Sequence, residues 1–126
     1  MRRVIQTAQA PTPIGPYSQG VVISPLLFTA GQVGIDPATS TLVSGGVEAE
    51  ARQALTNLKG IVEAAGGRME DIVKTSVFLV DMADFKPFNA VYAEFFPHRP
   101  PARTTVAVGG LPAGARVEIE AVASWT

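Results

Sequence analysis

The chain has 126 residues, enough for one domain with a buried core and too few for two. Charged residues make up only 17%, against a usual share of about 25%. The net charge of −1, the absence of cysteine and the single histidine, His98, disfavour phosphate gathering, disulfides, thiolate nucleophiles and histidine- or cysteine-based metal centres. Arg2 and Arg3 are followed by no apolar signal-peptide core, and no stretch approaches the length of a membrane span. A soluble cytoplasmic protein is expected, with no nucleic-acid or membrane partner. So little charge on so small a domain hints at surface hidden in an oligomer.

Val4-Ile5 opens a short edge strand. Pro11, Pro13 and Pro16 stiffen the next segment against regular helix. Gly20-Val21-Val22-Ile23 and Leu26-Leu27-Phe28-Thr29-Ala30 read as a hairpin around Ser24-Pro25. Gly31-Gln32-Val33-Gly34-Ile35-Asp36-Pro37 then leaves the sheet, and a polar loop runs to Gly46. The clearest helix covers residues 47–65, with Val47, Ala51, Ala54, Leu55, Leu58, Ile61, Val62 and Ala65 at helical spacing. Gly66-Gly67 supplies its left-handed stop.

A strand rich in branched residues follows at 72–80. Asp84 is a suitable N-cap for a second helix that tolerates Pro87 in its first turn, carries Phe88, Val91, Tyr92 and Phe95 along one side, and ends at Pro97. Two alternating runs, 100–108 and 116–123, flank the Gly/Pro-rich loop 109–114. Two helices on one face of a mixed sheet make an α+β layer. The other sheet face is left bare, and if it is apolar it must be covered by partners.

Residues two apart on a strand share a face. Arg103, Thr105 and Ala107 therefore project together, and so do Arg116, Glu118 and Glu120. An arginine on one strand and carboxylates on its neighbour would hold a small anion and supply a base to act on it. The same spacing describes a solvated face carrying weak ion pairs. The planar fork of Arg103 can grip a carboxylate through two parallel charge-assisted bonds. Either Glu118 or Glu120 could position and deprotonate water, and alternation does not choose between them. Tyr17, in a rigid Pro/Gly setting, reads as a pocket wall and hydrogen-bond donor, or as a ring packed over the sheet edge. Asn89 can reach inward from the second helix or bond to backbone. His98 reads as a surface loop residue, and no glycine run forms a phosphate loop.

Six blocks together resemble the RidA (YjgF) family, in that family's order and across nearly the whole chain. They are Ile14-Gly15-Pro16-Tyr17-Ser18-Gln19-Gly20, Thr29-Ala30-Gly31-Gln32, Ala49-Glu50-Ala51-Arg52-Gln53-Ala54-Leu55-Thr56-Asn57-Leu58, Asp71-Ile72-Val73-Lys74-Thr75, Pro101-Ala102-Arg103-Thr104-Thr105 and Val117-Glu118-Ile119-Glu120-Ala121. The resemblance implies one chorismate-mutase-like α+β domain over residues 1–126, assembled as a homotrimer with sites in the clefts between subunits. It implies hydrolysis of reactive 2-imino acids and their enamine tautomers, such as 2-aminoacrylate, to 2-oxo acids and ammonia, without metal or cofactor.

By position, Arg103 matches the family arginine that grips the substrate carboxylate, Tyr17 the pocket-wall tyrosine, and Glu118 the glutamate that orients water. Asn89 and the backbone around Thr105 match neighbouring pocket positions. The family often has serine where Ala30 stands, and frequently cysteine where Thr105 stands. The missing hydroxyl at Ala30 bears on substrate preference. Two other readings remain: a non-catalytic trimer that binds small carboxylates or partner proteins, and a ribonuclease, which the net charge and the lack of stacking aromatics on a basic surface disfavour.

Overall fold

Residues 2–125 are described by the computed structural model of the chain. Three strands come first: β1 (Arg2–Ile5), β2 (Gly20–Ile23) and β3 (Leu26–Thr29). A small ribbon of β4 (Ile35–Asp36) and β5 (Thr41–Leu42) precedes helix α1 (Gly46–Ala64). Strand β6 (Ile72–Leu79), helix α2 (Phe85–Phe95), and strands β7 (Ala102–Ala107) and β8 (Val117–Ser124) complete the order. The main sheet runs β1-β2-β3-β8-β6-β7. Only the β6–β7 pair is parallel, because α2 forms the crossover that joins them.

Ala51, Ala54, Leu55, Leu58, Ile61 and Val62 of α1 are fully buried, while Arg52, Lys59 and Glu63 of the same helix stay exposed. That stripe lies on the sheet face formed by Leu27, Val77, Leu79, Val117, Ile119, Ala121 and Ala123. Phe88, Val91 and Tyr92 of α2 close the same core. Each fully buried Leu or Phe contributes about 1.5–3 kcal/mol by leaving water, so this layer stabilises the fold. Gly66, at φ +96°, ends α1, and the Gly67 N–H returns to the Val62 carbonyl at 2.9 Å.

The elements fall close to their expected places, with three differences. The ribbon β4–β5 occupies part of the expected polar loop; its two-residue strands are too short to show a period. Asp84 stands at the N-cap of α2 without a capping hydrogen bond, and Asp81 instead accepts from the Ala83 N–H at 2.9 Å, capping the turn before the helix. The third difference matters most for function. Strands β7 and β8 are not neighbours, since β6 runs between them.

The far side of the sheet carries no helix. Val4, Ile23, Phe28 and Val106 stand exposed there, with Glu120 and Lys74 among them. The bare face inferred from the element order is therefore apolar in large part.

Candidate active site

Strand register assigns each candidate to a face. Thr75 of β6 pairs with Arg103 of β7 on one side and with Ala121 of β8 on the other. Thr75 is fully buried and bonds to Tyr92 of α2, so Arg103 shares the helix-covered face. Val77 likewise pairs with Thr105 and Ile119, which places Thr105 there too. Phe78 pairs with Glu118 and Ser76 with Glu120, out of phase with Thr75 and Val77. Both glutamates therefore face the bare side. Arg103 and Glu118 of one chain are separated by a strand and by the sheet itself, so the expected arginine–carboxylate pair on neighbouring strands does not form. The reason is topological: alternation relates residues within a strand, while the insertion of β6 is a long-range pairing.

On the helix side, the guanidinium carbon of Arg103 lies 4.7 Å from the Tyr92 ring centroid and 5.6 Å from those of Phe85 and Phe88. Arg103 takes part in none of the ion pairs among the described residues, which join Arg52 to Glu94, Arg68 to Asp71 and Arg116 to Asp84. Its charge is held by aromatic faces, leaving its donor fork unmatched by any carboxylate among the described residues. Asn89 is half-buried on α2, and its Oδ1 has no partner among the described residues. The Thr105 Oγ1 is equally buried and unpartnered. Buried oxygens are normally satisfied, so this end of the sheet holds two acceptors and a cation with unused bonding capacity.

On the other side, Tyr17 and Glu118 do come together. With Pro13, Ile14, Gly31 and Gln32 they line a cleft of about 210 Å³. The Pro-rich arch over it is organised by Gln19, which is 2% exposed. Its Nε2 donates to the carbonyls of Thr7, Ala10 and Pro11, and its Oε1 accepts from the Thr7 N–H. The Tyr17 hydroxyl accepts from the Ile14 N–H at 3.3 Å, which ties the phenol to the arch.

The opposite wall is pinned to β8 by paired backbone bonds between Gln32 and Ile119 at 2.8 and 3.0 Å. Behind it, fully buried Asn57 of α1 donates to the Ile35 carbonyl at 2.9 Å and the Val33 carbonyl at 3.3 Å. Glu50, also buried, accepts from the Arg116 N–H at 2.7 Å, two residues before Glu118. Burial, and then the like charge of Glu120, push the Glu118 carboxyl above the usual glutamate range.

Gly31, rather than Ala30, forms the cleft wall; the Ala30 N–H is bound to the Gln19 carbonyl at 2.9 Å. His98 is exposed in the loop after α2, as expected. Sequence reasoning missed Gln19, Asn57 and Glu50 as the braces of the cleft. The available signal was a polar residue on an otherwise apolar helix stripe, as at Asn57 and Glu50.

The family model described as endoribonuclease L-PSP matches residues 7–125. The human protein named 2-iminobutanoate/2-iminopropanoate deaminase is 50% identical over 123 residues, covering 98% of this chain and 90% of its own length. The crystal structure of the E. coli YjgF gene product shares 45% identity at a TM-score of 0.95, covering 98% of this chain and 99% of that one. E. coli TdcF with bound serine shares 41% identity at a TM-score of 0.95 over the same proportions. A nearly full-length family match, a relative at half identity and the same layered architecture agree: this chain belongs to the endoribonuclease L-PSP family, the RidA (YjgF) group that its sequence blocks resemble.

Proposed function

We propose that the protein is a cofactor-independent deaminase that hydrolyses 2-iminobutanoate, 2-iminopropanoate and the enamine 2-aminoacrylate to 2-oxo acids and ammonia. One observation carries the mechanism. Arg103 is backed by aromatic rings and has no acid partner among the described residues, while Glu118, with its raised pKa, waits in a separate cleft on the other sheet face. Neither half is a site alone. In this reading, one domain spans the chain, three copies cover their bare sheet faces against one another, and the Tyr17–Glu118 cleft of one copy meets Arg103 of the next. The setting is the cytoplasm, beside enzymes that release such imines.

Arg103 grips the substrate carboxylate through its fork. Asn89 and the region of Thr105 offer acceptors for the nitrogen end, and Tyr17 forms the wall. Water adds to C2 of the protonated imine while Glu118 accepts one of its protons. The resulting tetrahedral carbinolamine takes that proton on nitrogen. Its C–N bond breaks as Glu118 takes the proton of the C2 hydroxyl, the C2 oxygen becomes the carbonyl of the 2-oxo acid, and the departing ammonia carries that proton away as ammonium. A carboxyl lifted toward working pH serves these transfers better than an ordinary glutamate, and such assistance is worth about 10²–10⁴-fold. An already electrophilic imine needs no more; Ala30, lacking a hydroxyl, bears on which imine is preferred.

A second reading, a non-catalytic carboxylate-binding trimer, is favoured by that same absence of a hydroxyl at Ala30. The related TdcF structure with bound serine suits either reading. A dehydratase generating imine in situ separates them. The deaminase accelerates 2-oxo acid release over buffer and Arg103→Ala does not; binding by calorimetry without acceleration would replace the first reading with the second. Unchanged turnover in Arg103→Ala would sink the assignment of the site.

A further inference from the structure

Arg103 lies on an edge strand, where a long side chain has many rotamers open to it, yet its guanidinium is held among three rings, nearest to that of Tyr92 at 4.7 Å. The Tyr92 ring is held by three neighbours. The Tyr92 hydroxyl meets the Thr75 hydroxyl at 2.7 Å, buried. Phe88 and Phe96 lie tilted against the Tyr92 ring at 5.5 and 4.6 Å between centroids. Thr75 is fully buried and Tyr92 only 6% exposed. Thr75 is also the register partner of Arg103, so the strand bearing the arginine and the hydroxyl that meets the phenol are joined by the sheet ladder. Thr75 and Tyr92 satisfy each other's buried hydroxyls, while the flanking Phe88 and Phe96 rings hold the Tyr92 ring where it stands.

We infer that Tyr92 is a positioning residue whose ring face aims the Arg103 guanidinium at the substrate carboxylate. The inference rests on the carboxylate-gripping role proposed for Arg103. Cation–π attraction holds the guanidinium plane without consuming its N–H donors. An acidic partner would hold the side chain as firmly but would occupy the fork that the substrate needs. Burial pushes the Tyr92 phenol up despite the opposing influence of Thr75 and Arg103, so the ring stays neutral and its face stays attractive to a cation.

The test uses the full chain, with 2-oxobutanoate, a stable carboxylate, for calorimetry and in situ imine for kinetics. Tyr92→Leu removes the ring and is expected to weaken 2-oxobutanoate binding and raise KM about tenfold, with kcat within about threefold. Tyr92→Phe keeps the ring and loses the hydroxyl; its Tm falls while affinity and KM stay within about threefold of the parent. A purely structural role would make binding follow Tm across both variants, and that outcome overturns the inference. So would an unchanged KM in Tyr92→Leu. Should Tyr92→Leu fail to fold, the unaltered protein decides by NMR: Arg103 side-chain protons over a ring carry upfield ring-current shifts, and random-coil shifts refute the arrangement. Binding of 2-oxobutanoate that depends on Tyr92, in a protein that hydrolyses no imine, would sink the deaminase reading and leave this inference standing.

Discussion

Gly31 and Glu118 are in direct contact across the cleft wall: a methyl group on Gly31 would lie 2.7 Å from the Glu118 Cδ and 2.9 Å from its Oε2. The obstruction is a flexible carboxylate rather than backbone, so the side chain can yield. Gly31→Ala is therefore expected to leave thermal stability within about 1 kcal/mol of the parent. The carboxylate swings away from its aim, and kcat falls at least about tenfold, since a misplacement of about 1 Å can cost 10²-fold. Paired melting and turnover measurements check this.

Replacing Arg103 by lysine keeps the charge but not the fork. Hydrogen bonds to charged groups contribute about 1.5–3 kcal/mol each, so losing one of two costs about 10–10²-fold in kcat/KM. Arg103→Ala loses more. Steady-state kinetics that rank alanine below lysine below arginine confirm the bidentate hold; equal activity of lysine and arginine argues against it.

The lifted Glu118 carboxyl has two pH consequences. Between the unfolded value of about 4.3 and its higher native value, the native state binds the extra proton, so stability from this group is present at low pH and lost as pH rises through that window. In its proposed role as the water-activating base it must be ionised, so kcat/KM is expected to rise with pH along a limb centred above the ordinary glutamate range. Glu118→Gln abolishes the limb. Glu120→Gln removes a like charge and moves the limb to lower pH.

Asn57 offers a test of the brace behind the cleft. Asn57→Leu strands the Val33 and Ile35 carbonyls without a donor. Unpaired buried groups cost about 1–3 kcal/mol each, so denaturant titration should show a clear loss of stability.

Mixing variants tests the proposed shared site. Arg103→Ala and Glu118→Ala are each expected to be inactive, yet in the proposed trimer, randomly assorted from the two, about a quarter of the heterologous interfaces carry both intact residues. Co-refolded mixtures should recover about a quarter of the parental activity. No recovery would mean that one chain holds the whole site.

The sequence spoke clearly wherever the information was local. The apolar stripe of α1, its glycine stop and the alternating burial of β8 all follow from period and turn chemistry. Alternation put Arg103 with Thr105 and Glu118 with Glu120 correctly, yet it could not say that the two pairs point to opposite faces, because that depends on how β6 inserts between β7 and β8. Tyr92 illustrates the same limit. Its place on the buried side of α2 was legible from spacing, whereas its hydroxyl partner lies 17 residues away on another element.

The bare sheet face has a last consequence. If one chain carries a cation on one side and a base on the other, folding and function are separate events. A protomer can be fully native by spectroscopy and inert. Specific activity would then respond to total protein as a steep, cooperative curve, lost on dilution below the point where protomers part and regained on concentration without any refolding. Substitutions such as Phe28→Asp, remote from every reacting atom, would act by shifting that curve.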